Sequence, residues 1–220
     1  MIRHRGAARL ASVAAVLMGL SWSAPAGDAS PPGAPPFSRG TAWTYRHMLG
    51  DRIGTMTKVY GGQTAAYRGR TYHVFTITST LRRGTVTRLY QTWTGTHFRQ
   101  AALKVTEPGG NVEEHIFDRP FDIGVRVDRS GTAQFLGNGF ALGRDPWHFA
   151  ATSRGLVSVT VPAGTFQAAL WEVVFRLGEH KTLSSVYTVG LTDVRRVDRL
   201  YWSGAFVSTS QLELVRGPVR

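Results

Sequence analysis

The sequence predicts a mainly β protein: a strongly curved antiparallel sheet or incomplete β-barrel with one or two short helices. Two observations set the class. From Thr41 to Arg216, β-branched and aromatic residues recur in short alternating runs separated by Gly, Pro and Asn. No long helical periodicity and no internal repeat interrupts them. A third observation sets the curvature. The run Thr165 to Leu177 reads as one strand, ~40 Å long if extended, and strands of that length bend or close into barrels.

The elements follow in order. Residues 41–48 alternate Trp43, Tyr45 and His47 against Thr44, Arg46 and Met48. Residues 53–60 run into the turn at Gly61-Gly62. In 71–81, His73, Phe75, Ile77 and Leu81 share a face, and Arg82-Arg83-Gly84 turns the chain into 85–95. Residues 97–106, the turn 107–111 and residues 112–117 make a further hairpin. Between Asp118 and Gly143 the pattern is less regular, with short strands and a hairpin turn at Asn138-Gly139. Residues 145–153, DPWHFAATS, are the helix candidate: Asp145 suits the cap, Pro146 the first helical position, and Gly155 the end. The last strands are 184–190, 192–202 and 205–216, with a turn at Ser203-Gly204.

The stretch VTVPAGTFQA, residues 159–168, reads as a hairpin device. Pro162 suits the first central turn position, Ala163 the second, and Gly164 a positive-φ bulge. That three-residue loop pairs Val161 with Thr165 and Val159 with Gln167. It puts Val157, Val159, Val161, Trp171, Val173 and Phe175 on one face. Phe166 and Leu170 fall on the polar face, where the predicted helix would cover them. Arg196 and Asp198, two apart on one face, each expect a charge on a neighbouring strand or solvent.

Residues 1–26 have the pattern of a secretory signal peptide: Arg3, Arg5 and Arg9, an apolar run from Leu10 to Leu20, and the cleavage site Ala24-Pro25-Ala26. The apolar run is short for a membrane span of ~20 residues. Residues 27–40 read as a Pro/Gly/Ala-rich linker, 41–216 as a single antiparallel β domain, and 217–220 as a C-terminal tail. The protein is therefore expected to be exported, periplasmic or extracellular, with no transmembrane segment in the mature chain. The 220 residues contain no cysteine, so disulfides are excluded. The net charge of +12 falls to +9 when Arg3, Arg5 and Arg9 are removed. Arginine supplies most of it, in short clusters: Arg68/Arg70, Arg82/Arg83 and Arg195/Arg196/Arg199. For an exported protein such charge favours lipid head groups or envelope polymers, and no nucleic acid is expected as a partner.

VTVPAGTFQA, WEV at 171–173, YTVGLTDVRR at 187–196, LELV at 212–215 and the opening Trp43-Thr44-Tyr45 together resemble exported bacterial proteins of the lipoprotein-carrier-like group. The resemblance covers roughly residues 155–216 and the domain start. It implies a strongly curved, incomplete barrel with a helical plug, and it implies no catalytic residue.

Catalytic motifs are missing. There is no G-x-S-x-G, no S-x-x-K, no H-E-x-x-H and no G-x-G-x-x-G spacing. Glu113-Glu114-His115 would need distant partners to hold a metal. The carboxylate pairs Asp118/Asp122 and Asp193/Asp198 carry no spacing that assigns acid–base work. No cofactor and no metal is expected, and enzymatic activity is not the favoured reading. The candidate ligand-binding residues are Trp43, Tyr45, Trp93, Trp171, Val173 and Phe175, which would line a concave apolar face able to hold a lipid or other amphiphile. Arg195, Arg196 and Arg199 are the candidate contacts to an anionic partner. The alternative is a non-catalytic envelope assembly or interaction protein; a polymer hydrolase ranks last.

Overall fold

The computed structural model describes residues 35–63, 67–122 and 127–219. The expected signal peptide and most of the linker lie outside them. Twelve antiparallel strands form one closed barrel in meander order, each pairing with its neighbours in sequence and the last with the first. They are β1 (Ala42–Leu49), β2 (Arg52–Gln63), β3 (His73–Ser79), β4 (Val86–Trp93), β5 (Phe98–Thr106) and β6 (Val112–Asp122). Then come β7 (Val127–Gly137), β8 (Phe140–Val161), β9 (Gly164–Leu177), β10 (His180–Val189), β11 (Thr192–Trp202) and β12 (Ala205–Arg216). The predominantly β reading holds, but the barrel is closed: β1 pairs with β12 from Thr44↔Arg216 to Leu49↔Ser210. Closure removes the unpaired sheet edges that an incomplete barrel would expose.

The helix expected at 145–153 is the middle of β8. Trp147, Phe149 and Ala151 are buried and alternate with more exposed residues. β7 and β9 hydrogen-bond to β8 on either side. A local cap worth ~1 kcal/mol loses to two ladders and three buried side chains. Pro146 lies one residue beyond the first β8–β9 pair, Trp147↔Leu177, so its missing N–H costs no ladder bond there. The described helical structure is one 3-10 turn, Thr80–Arg82, with Ser79 Oγ accepting from the Leu81 N–H. The described parts of the irregular middle region belong to β6, β7 and β8, and the turn at Asn138-Gly139 has φ of 48° and 86°, the two positive values a type I′ hairpin needs.

In the hairpin at 159–168 Val161 pairs with Gly164 and Val159 with Phe166, so the loop is one residue shorter than expected. Further along, Arg154 and Gly155 bulge opposite Leu170, between the pairs Ser153↔Trp171 and Leu156↔Ala169. A bulge changes which side of the partner strand faces in. Phe166 and Ala168 therefore join the interior alongside Trp171, Val173 and Phe175. The expected valine–tryptophan face survives, and Phe166 needs no helix to cover it.

The meander sends successive hairpins to opposite ends. The β1–β2, β3–β4, β5–β6, β7–β8, β9–β10 and β11–β12 connections share one end, here the lower. The upper end holds the other connections and the first and last described residues. Phe37 is buried there, edge-on to Trp43 at 4.9 Å. Pro218 O accepts from Trp43 Nε1 (3.1 Å) and from Thr192 Oγ1 (2.8 Å), so the last residues also cover that mouth. Among the described residues no helical plug closes it.

Candidate functional site

The interior has two unlike walls. β3 to β9 contribute aromatic rings. Phe121 is their hub, with Phe117, Trp147, Phe149 and Phe175 at 4.9, 5.1, 5.0 and 6.0 Å. β1, β2 and β10 to β12 contribute ionisable groups, set beside the buried rings of Trp43, Tyr45 and Tyr60. Arg196 is 0% exposed; its Nε donates to Asp198 Oδ1 at 2.8 Å, and its Nη1 lies 3.9 Å from Asp193 Oδ2. Lys58 is buried beside them, over the rings of Trp43 (5.3 Å) and Phe75 (4.7 Å). His47 shares hydrogen bonds with Ser79 Oγ (2.9 Å) and Ser210 Oγ (3.4 Å).

Burial sets the protonation of this wall. Loss of solvent pulls Lys58 down to about 8, with Asp193 opposing and Arg196 reinforcing the shift. It pulls His47 down to about 4, against the attraction of Asp198, so His47 is neutral at pH 7. Burial raises Tyr45 well above its ordinary value, and Asp193 adds to the shift. Lys58 and Arg196 balance Asp193 and Asp198, so the set carries no net charge. Buried charges demand partners, and these supply their own.

The predicted site residues separate. Trp43, Tyr45, Trp171, Val173 and Phe175 are buried in one packed core, with Trp93 against it. Arg196 was expected at the surface; it is interior, and its partner is Asp198 two residues along its own strand. Arg195 is on the outer face, over the Tyr187 ring at 5.8 Å and 4.0 Å from Glu213. Arg199 is exposed. It borders a shallow outer groove of about 240 Å³ with Glu172, Val174, Leu183, Ser185 and Val197.

The acid clusters also come apart. Glu114 is on the outer face, accepting from Tyr67 Oη at 2.7 Å and paired with Lys104 at 2.9 Å, while His115 packs on Phe135 at 4.9 Å. Asp118 accepts from Trp147 Nε1 at 3.0 Å, which with its backbone bonds overcomes burial and lowers its pKa. The side chain of Asp122 lies outside the described residues. Asp193 and Asp198 flank Arg196. Among the described residues no group of three His, Asp or Glu side chains is placed to hold a metal.

Sequence reasoning missed the lower rim. Ile53, Phe140, Leu142, Phe206 and Val207 are exposed large apolar residues, and all sit in hairpins of the lower end. Alternation marks such residues as inward or outward but does not show which end of a barrel they decorate.

No protein-family model matches the chain, and no curated protein matches it. A solved structure from Parabacteroides distasonis ATCC 8503, provisionally described as a lipoprotein, is similar at a TM-score of 0.43 and 11% identity. The match covers 86% of this chain and 99% of that one. The class that the coordinates define is a closed twelve-stranded meander barrel with a packed interior.

No helix among the described residues is long and apolar enough to cross a membrane. The barrel wall has a charged outer face: Arg46, Arg88, Lys104, Arg176 and Arg199 project from it. In a lipid-spanning barrel each such cation costs ~2–4 kcal/mol at the bilayer midplane.

Proposed function

We propose that this is an exported, non-catalytic binding protein for anionic lipid, which it contacts with its outer surface. One observation carries the reading: Lys58 and Arg196 offset Asp193 and Asp198 inside, so the positive excess of the described residues lies on the outside of the barrel. A cationic exterior concentrates anionic partners near the surface. The interior reading, an amphiphile held against Trp43, Tyr45, Trp171, Val173 and Phe175, would need the volume those side chains occupy themselves. They serve here as the scaffold that orients the outer face. Catalysis is disfavoured because the clustered acids, His47 and Lys58 are sealed inside the barrel.

The test is co-sedimentation of the mature protein with phosphatidylcholine vesicles, with and without phosphatidylglycerol. Binding that requires phosphatidylglycerol and weakens with added salt supports the reading. Failure to sediment with either vesicle overturns it. Native mass spectrometry of the protein released from vesicles separates surface binding from cargo. A retained lipid would restore the interior reading.

A further inference from the structure

We propose that the lower end of the barrel docks on an anionic bilayer by inserting its hairpin tips. The proposal rests on the reading above and adds an orientation to it. Phe140, Ile53 and Phe206 are 75%, 70% and 60% exposed and share this end, whereas the exposed Leu156 and Val215 lie toward the other. Leu142 and Val207 extend the first and last of these tips. Two of the turns are rigid. Asn138-Gly139 and Ser203-Gly204 both hold two successive positive φ angles, 48° and 86°, then 45° and 83°. Type I′ turns of this kind present their flanking residues without a loop to order first.

The occupant follows from chemistry at each tip. Arg52 adjoins Ile53, and Arg144 follows Leu142 by two residues. Lys181 lies 5.7 Å from the Tyr201 ring, which is edge-on to Phe206 at 5.8 Å. An apolar side chain beside a cation, with Tyr and Trp behind it, matches the boundary between acyl chains and anionic head groups. Two of the acids at this end are engaged locally: Glu179 accepts from Ser203 Oγ (3.0 Å), and Glu107 faces Arg82 (3.9 Å). Asp145 packs on Gly178, and Asp51 stands in the β1–β2 turn. The β9–β10 hairpin separates the β7–β8 tip from the β11–β12 tip, whose neighbour on the other side is the β1–β2 tip. A fluid bilayer accepts separated tips, whereas a protein partner favours one contiguous patch.

The chain has no cysteine, so single cysteines can report orientation. A205C places an environment-sensitive fluorophore at the β11–β12 tip, and A163C places one at the β8–β9 turn of the opposite end. With phosphatidylglycerol-containing vesicles, the Ala205 probe should shift to the blue and lose access to aqueous iodide, while the Ala163 probe does neither. The double variant F140S/F206S should lower vesicle partitioning by on the order of a hundredfold, since burying each ring is worth about a factor of ten or more. Its far-UV circular dichroism and melting temperature should match the parent, because both rings are exposed. Vesicle binding with both probes unshifted, or only Ala163 shifted, overturns end-on docking and leaves surface binding standing. No vesicle binding overturns both. Self-association that F140S/F206S abolishes, without vesicle binding, would assign the tips to a second copy of this chain.

Discussion

The two walls of the barrel interior fill similar space by different physics. The aromatic wall around Phe121 gains from burial and ring packing, and each ring contributes by itself. The ionised wall around Arg196 gains little net energy, because stripping water from four charges offsets their attraction. Its members are worth most as a set. A ring lost from one wall leaves a hole; a charge lost from the other leaves an orphan.

Two substitutions of similar size expose this difference. Phe121→Ala and Arg196→Met should each cost about 3–5 kcal/mol in chemical denaturation. Only the second should be rescued by a further deletion. Arg196→Met combined with Asp198→Leu should recover much of the loss, because Asp193 still has Lys58 nearby. Adding Val173→Ala to Phe121→Ala should lower stability further. A double variant on the ionised wall no better than its single would end the distinction.

The next effect is on pH. His47 has a folded pKa of about 4 against about 6.5 in the unfolded chain. Its stabilising contribution is present in full above pH 6.5 and is lost as pH falls from 6.5 toward 4, because the unfolded state takes the proton first. The drop is at most about 3 kcal/mol over that window. His47→Gln should flatten that part of a stability–pH curve and leave the region below pH 4 unchanged.

Gly131→Ala probes the seam between interior and outer face. A Cβ there would clash with Asp118 Oδ1 and stand 2.7 Å from Trp147 Nε1. The Asp118–Trp147 hydrogen bond occupies the space that only glycine leaves free. The expected cost is about 1–3 kcal/mol, with a shift of the Trp147 indole N–H resonance. The smallest effect belongs outside: Arg154→Ala removes the exposed pair with Glu172 (2.6 Å) and should cost at most about 1 kcal/mol.

Much of the fold was legible in the sequence because strand alternation and turn residues are local signals. The runs at 41–48, 97–106, 192–202 and 205–216 needed no tertiary information. Asp145-Pro146 misled because capping chemistry is local too, yet the ladders to β7 and β9 outweigh it. The bulge at Arg154-Gly155 left no pattern that alternation alone could register, so Phe166 was assigned to the wrong face. The candidate site was less legible. Alternation put Arg196 and Asp198 on one face, but it could not say which face turned inward.

The sequence alone determined the class of structure, the positions of most turns, and an excess of arginine without cysteine, because each depends on residues near one another in the chain. Tertiary structure decided closure of the barrel, the burial of Arg196 among its own counter-charges, and the gathering of Phe140, Ile53 and Phe206 at one rim. Those outcomes depend on which strands meet and on which end each hairpin falls, and contacts between distant residues carry that information.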